Sequence, residues 1–185
     1  MQTLPLKEAK ERLRGLLKRE AFKKGAFVLS SGKTSNYYLD GRIITLTPEG
    51  AYLAASIILD MVAADDISAV GGPTLGADPI TGAVAALSYL KGKPVKTFIV
   101  RKSAKEHGMQ RQIEGPPLGK GSRVVLVDDV ATTGKALLEA KEALDKAGVK
   151  SKRAIVIVDR EEGAAANLAR AGLKLESIFS IGEFL

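Results

Sequence analysis

Short, wholly apolar runs alternate along this chain with longer stretches in which apolar side chains recur every three or four residues. The runs VVLV at residues 124–127 and IVIV at 155–158 are rich in β-branched residues and carry no polar alternation. That is the pattern of strands buried on both faces of a parallel sheet. Extended along the chain, this reading predicts strands over residues 68–70, 97–100, 124–128, 154–159 and 173–180, and helices over 4–18, 48–63, 80–90, 135–147 and 164–171. Leu6, Leu13, Leu16 and Leu17 mark the apolar side of the first helix. Thr47 followed by Pro48 marks the start of the second, a capping residue before a proline in the first helical position. Strands alternating with helices imply an α/β fold, a mostly parallel central sheet flanked by helices and joined by right-handed crossovers. The first forty residues break the alternation. Two short strands, 26–29 and 37–41, flank a turn at 30–35, so residues 1–45 are expected to form a small cap on a single domain of residues 1–185.

Composition narrows the class. A chain of 185 residues, 45% apolar, can bury a sizeable core as one domain. It has no cysteine, which excludes a disulfide framework and a thiolate zinc site. The N-terminal stretch is amphipathic and lacks the apolar core of a signal peptide. No segment approaches the length of a membrane span. The expectation is a soluble cytoplasmic protein with no membrane partner. The net charge of +7 raises nucleic acid as a ligand, but the basic residues are not in one block: one group is N-terminal and a second lies between Lys91 and Arg111. There is no helix-turn-helix, zinc finger or aromatic stacking platform. A small polyanion accounts better for the second group.

The chemistry concentrates in VVLVDDVATTGKAL, residues 124–137. Asp128 and Asp129 stand at the carboxyl end of a buried strand, where two like charges need water or a ligand to solvate them. Residues 131–134 turn into a helix, whose first N–H groups attract anions. Acceptors for hydroxyls or a metal thus lie beside donors for a phosphate, as a sugar phosphate requires. Two familiar phosphate fingerprints fail. No G-x-G-x-x-G opens the first strand–helix unit, and GGPTLG at 71–76 is followed by Ala77-Asp78 where a nucleotide-binding loop needs Lys-Ser/Thr. The glycines of GGPTLG still permit exposed N–H groups; the plain alternative is a tight strand-to-helix turn. Residues 101–121 lack periodicity, and loops of that length in compact domains are functional or disordered. Arg101 and Lys105 would repel on one face of a helix, which favours a loop gathered around an anion.

At this point the sequence resembles a known family. VVLVDDVATTGKAL resembles the phosphoribosyl-pyrophosphate (PRPP) signature of type I phosphoribosyltransferases. RKSAKEHG at 101–108 resembles the catalytic loop of orotate phosphoribosyltransferases in particular, FVLSSGKTSNYYLDGR at 27–42 their substrate-recognition segment, and IVIVDREEG at 155–163 the strand ending in an orotate-binding arginine. These matches span nearly the whole chain, in the family's order.

The resemblance implies an enzyme that transfers ribose 5-phosphate from PRPP to orotate with Mg²⁺, giving orotidine 5′-phosphate and pyrophosphate in pyrimidine biosynthesis. It implies Lys102, Lys105, His107 and Asp129 as catalytic residues. PRPP would contact Arg101, Lys102, Lys105, His107, the stretch Asp128, Asp129, Val130, Ala131, Thr132, Thr133, Gly134, Lys135 and Ala136, and Gly72, Pro73 and Thr74. The aspartates would receive the ribose hydroxyls, with Mg²⁺ held through PRPP and bridged to Asp128 and Asp129. Orotate would meet Thr132, Arg160, Tyr37, Tyr38 and Lys33, Arg160 gripping its carboxylate with two parallel hydrogen bonds. Many bacterial members carry lysine where this chain has Ser30, so a lysine contact there is lost or supplied from elsewhere. The resembled family forms symmetric dimers in which the basic loop of one subunit completes the other's site, which implies a homodimer with Lys102 and Lys105 acting across the interface. Plainer readings stand beside these roles: Thr132-Thr133 as a helix cap, Arg160 as a surface residue, the tyrosines as packing in the cap. The competing functions are a phosphoribosyltransferase for another base and a ligand-sensing regulator on the same fold.

Overall fold

The computed structural model describes residues 4–28, 34–102 and 112–185. Its centre is a six-stranded sheet in the order β5-β4-β3-β6-β7-β8. The strands are β3 (Ala69–Pro73), β4 (Lys96–Val100), β5 (Ile113–Glu114), β6 (Arg123–Ala131), β7 (Lys150–Asp159) and β8 (Lys174–Ser180). All neighbours are parallel except the short edge strand β5, antiparallel to β4. β5 falls inside the stretch that the sequence presents as one loop; two residues are too few to carry a period.

The continuous apolar runs serve two cores at once. Val124 and Leu126 of β6, with Ala154 and Val156 of β7, face helices α5 (Lys135–Lys146) and α6 (Ala164–Arg170). Val125, Val127, Ile155 and Ile157 face the other side. There they meet α1 (Leu6–Leu16), α3 (Pro48–Met61) and α4 (Ala77–Leu90). This is why alternation is missing from the sequence: both faces are dry. Thr47 caps α3 as its sequence implies, its Oγ1 accepting from the Gly50 N–H at 3.1 Å, a contact of about 1 kcal/mol.

Between α1 and α3 the chain forms a separate ribbon. β1 (Phe22–Val28) pairs antiparallel with β2 (Thr34–Leu39), outside the main sheet, and a four-residue helix α2 (Arg42–Thr45) follows. Phe22 on this ribbon packs against Phe184 at 6.0 Å, and Phe184 meets Phe179 of β8 edge-on at 5.9 Å. The ribbon is thereby seated on the main core, with Phe22, Leu39 and Phe184 all buried.

Two boundaries differ from expectation in ways that matter. β3 includes Gly71, Gly72 and Pro73, every position buried, although Gly-Gly-Pro reads as a turn. Tertiary pairing overrides propensity here, because β4 and β6 flank the strand and Gly71 slips past Phe98 where a side chain would not fit. β6 also runs beyond the acidic pair, since Val130 and Ala131 still pair with Val158 and Asp159 of β7. Asp128 and Asp129 therefore sit among the strand's last four residues rather than past its end. Among the described residues no helix is long and apolar enough to cross a membrane.

Candidate active site

From β3 the chain steps to β4 on one side and returns to β6 on the other. The crevice between β3 and β6 is thus where the strand order reverses, the position at which open α/β sheets bind ligands. The turn after β3 and the acidic end of β6 border it.

Asp128 is 7% exposed. Its Oδ1 accepts from the Asp129 N–H at 3.0 Å, and Asp129 Oδ1 accepts from the Val130 N–H at 2.9 Å. Burial, reinforced by the charge of Asp129, pushes the Asp128 carboxyl well above the ordinary carboxylate range. Burial raises Asp129 as well, opposed by the Val130 N–H and by the charge of Arg42. The turn after β3 presses against this pair, and a Cβ on Gly76 would overlap Oδ1 of both aspartates. The Thr74–Leu75 peptide in that turn is cis, and the Thr74 N–H donates to the Val100 carbonyl at 3.0 Å. Asp78, on the first turn of α4, is raised by burial, and its Oδ1 lacks a hydrogen-bond partner. The site carries more negative charge than its own side chains neutralise, which suits the hydroxyls and cation-bearing oxygens of a ligand.

Past β6, Thr132 is half-buried and Thr133 exposed. Gly134 takes φ 79°, a left-handed conformation that glycine adopts freely, and starts α5 with no side chain capping it. The threonines therefore do not cap the helix. Its first N–H groups stand open to an anion, and Asn167 steadies the loop by donating to the Thr133 carbonyl at 2.9 Å. Lys135 and Ala136 follow in the helix, Lys135 exposed and 3.8 Å from Glu139.

Arg160 follows β7, and its N–H donates to the Ala131 carbonyl at 2.9 Å. This sets Arg160 beside Thr132 on the same rim. It is no surface residue: its side chain is 7% exposed. The guanidinium lies 4.7 Å from the centre of the Tyr37 ring, its Nε donates to Tyr37 Oη at 3.1 Å, and Nη2 pairs with Glu162 at 2.8 Å. Tyr37 thus supports the arginine rather than lying open as a ring platform. Tyr38 is 38% exposed and packs on Phe27 at 5.7 Å.

Arg101 and Lys102 are exposed beyond β4, on the same rim as Thr74, with Arg101 3.6 Å from Glu114. Lys33, Lys105 and His107, together with Ser30, lie outside the described residues. Gly72 and Pro73 end β3 and are buried, half-buried Thr74 follows them, and Val130 and Ala131 continue β6 into the loop.

Two further residues border the acidic pair; they close the segment 27–42, but nothing in the sequence singles them out. Asp40 and Arg42 form a bidentate pair, both contacts at 2.9 Å, and Arg42 holds the Asp40 carboxyl below its usual range. Gly41 between them lies against Asp129, 2.9 Å separating its Cβ position from Oδ2. The ribbon therefore touches the acidic pair directly. A cavity of about 750 Å³ opens beside it, lined by Asp40, Arg42, Ile43, Leu46, Leu75 and Asp78 among others. A second cavity of about 580 Å³ opens beside Ile67 and Val95, which precede β3 and β4, and includes none of these residues.

Among the described residues no three acidic or imidazole side chains gather as a cage for a metal ion. The hard oxygens of Asp128 and Asp129 fit Mg²⁺ only where ligand oxygens and water complete its shell.

The phosphoribosyl transferase domain family matches residues 45–181, so the sheet, the acidic strand end and the loop into α5 are those of a phosphoribosyltransferase. The orotate phosphoribosyltransferase of Synechocystis sp. is 42% identical over 99% of this chain and 92% of its own length, and that of Aquifex aeolicus is 43% identical over 95% and 97%. The crystal structure of Mycobacterium tuberculosis orotate phosphoribosyltransferase with Fe(III) dicitrate superposes with a TM-score of 0.83 at 38% identity, covering 95% of this chain and 98% of that one. The same enzyme in complex with PRPP superposes at 0.79 with 32% identity, covering 95% and 98%. The chain belongs to the orotate phosphoribosyltransferase family.

Proposed function

We propose that this protein transfers ribose 5-phosphate from PRPP to orotate, releasing pyrophosphate and orotidine 5′-phosphate, the penultimate step in making UMP. The observation that carries the reading is the rim itself: an acidic pair, an uncapped helix start and a buried arginine stand side by side at the strand-order reversal. Asp128 and Asp129 accept the ribose hydroxyls, and the N–H groups of Thr132 to Ala136 receive the 5-phosphate. Arg160 pairs with the orotate carboxylate, and Thr132 beside it contacts the base. Displacement of pyrophosphate leaves positive charge on the sugar and builds negative charge on the leaving group. Catalysis is then positioning plus charge stabilisation, with Lys102, Lys105 and His107 on the leaving side and Gly72, Pro73 and Thr74 presenting backbone to it. Asp128 and Asp129 would help to hold a Mg²⁺ ion brought in with PRPP, and the ion would supply charge neutralisation for the departing pyrophosphate.

The working unit we infer is a homodimer. Ile43 (39% exposed), Leu46 (73%) and Leu75 (64%) form an apolar rim beside the site, a surface that a second copy would cover. Lys102 and Lys105 of one subunit would then serve the site of the other. Both substrates are anions that do not cross a bilayer unaided, which favours the cytoplasm as the compartment. The test of the reaction is orotate consumption that depends on PRPP and Mg²⁺, followed by the fall in orotate absorbance with pyrophosphate measured in parallel. Consumption of another base in preference to orotate would overturn the reading.

A further inference from the structure

Arg160 already holds a carboxylate. Its guanidinium is nearly sealed from water, yet Glu162, only two residues on, pairs with Nη2 at 2.8 Å. The backbone between them is bent to make this possible: Glu161 takes φ 57° and Gly163 φ 101°, while the Glu161 N–H is anchored on Asp159 Oδ1 at 2.9 Å. A left-handed glutamate is an unfavourable choice for a non-glycine residue. Here it folds Glu162 back over the arginine. The two partners differ in exposure, Arg160 at 7% and Glu162 at 37%. The arginine is fixed by Tyr37, whereas the glutamate can turn out into water at little cost.

We propose that Glu162 is the resident counter-ion of Arg160, displaced when the carboxylate of orotate enters and returning when product leaves. The proposal rests on the orotate reading of the site. A buried guanidinium without a partner is costly, so the empty site keeps one. An incoming carboxylate exchanges one ion pair for another and gains only the difference. Orotidine 5′-phosphate carries the same carboxylate as orotate. The glutamate therefore competes with substrate and product alike, weakening orotate capture and helping the product to leave. PRPP, bound through Asp128, Asp129 and the loop into α5, does not feel it.

The test uses the full-length protein with Glu162→Gln, and Glu162→Ala as a second variant of this surface loop. Calorimetry gives the Kd of orotidine 5′-phosphate, and initial rates give KM for orotate and PRPP. The KM of orotate and the Kd of the nucleotide should both fall by the same factor, about two- to fivefold for a partly exposed ion pair, and KM for PRPP should not move. In an Arg160→Ala background, adding Glu162→Gln should leave the nucleotide Kd unchanged, as a double-mutant cycle requires. Constants for both carboxylate ligands that rise or stay fixed, or a PRPP constant that shifts with them, would overturn the proposal. A wild-type protein that binds orotidine 5′-phosphate and consumes orotate while the variants match it defeats this proposal alone. A wild type that does neither defeats the reaction assignment and this proposal together.

Discussion

Gly76, at the start of α4, and Asp128, in strand β6, approach so closely that a methyl group on Gly76 would overlap the carboxylate oxygen of Asp128, and that of Asp129 behind it. The turn after β3 and the end of β6 are thus fitted to one another through the absence of a side chain. Gly76→Ala should push the aspartates off their positions. A displacement of about 1 Å at a positioning group costs on the order of a hundredfold, so kcat/KM for PRPP should fall by about that factor while circular dichroism keeps its native form. Wild-type kcat/KM for PRPP in this variant would show that the crevice is not fitted in this way.

Arg160→Ala should act selectively. Removing a charge-assisted bidentate contact costs on the order of ten- to a thousandfold in orotate efficiency. PRPP, which the proposed reading places on the other side of Thr132, should keep a KM within a few-fold of wild type. Titrating each substrate at saturation of the other separates the two effects. Equal losses for both would point to a structural role.

Asp128 predicts a pH dependence of stability. Its carboxyl is raised by burial and by Asp129, so the folded protein binds that proton more tightly than the unfolded chain does. The contribution is fully present below the unfolded value of about 4, and it is lost as pH rises through the higher folded value. At neutral pH the buried carboxyl therefore weighs against folding, as binding sites often do. Asp128→Asn keeps an oxygen for the Asp129 N–H. It should melt higher than wild type at pH 7, by about 2–4 °C per kcal/mol in a chain of this size. The advantage should shrink as pH falls toward about 4. Paired thermal melts across that range decide it: a pH-independent difference, or a lower melting point at pH 7, contradicts the argument.

The shared-site dimer is tested by complementation. Lys105→Ala and Asp129→Asn should each be nearly inactive alone. After subunit exchange in a 1:1 mixture, about half the dimers are mixed, each with one intact site of two, so about a quarter of full activity should return. A mixture that stays inactive after exchange has been verified by mass spectrometry would place the basic loop in its own subunit.

How much of this was legible beforehand follows from what each feature depends on. The strand VVLV, the acidic pair and the helix after Gly134 could be read because local pattern and chain order suffice for them. β3 could not, because Gly-Gly-Pro becomes a strand only through the neighbours that flank it. The extension of β6 depends on its register with β7, and α2 is too short to show a period. At the site, Asp128 and Arg160 drew notice from their places near strand ends, and Thr132 through the family resemblance. The arginine's partners were not: Tyr37 is 123 positions away in sequence, and Glu162 is brought round by a left-handed residue that no composition rule anticipates.

The ribbon of β1 and β2 touches both ends of the site, Tyr37 under Arg160 and Gly41 against Asp129. Three residues, Tyr38 to Asp40, separate those contacts, and Gly41 itself already has helical dihedrals. The end of β2 and the turn after it are therefore a gauge. Their length sets how far the proposed carboxylate grip of Arg160 stands from Asp129, and so what size of base can bridge them. A two-residue insertion after Tyr38, which preserves which way each side chain faces, should widen the gauge and abolish orotate use, even though no residue that touches either substrate has been changed. Orotate kinetics that survive the insertion would show that the spacing is set elsewhere.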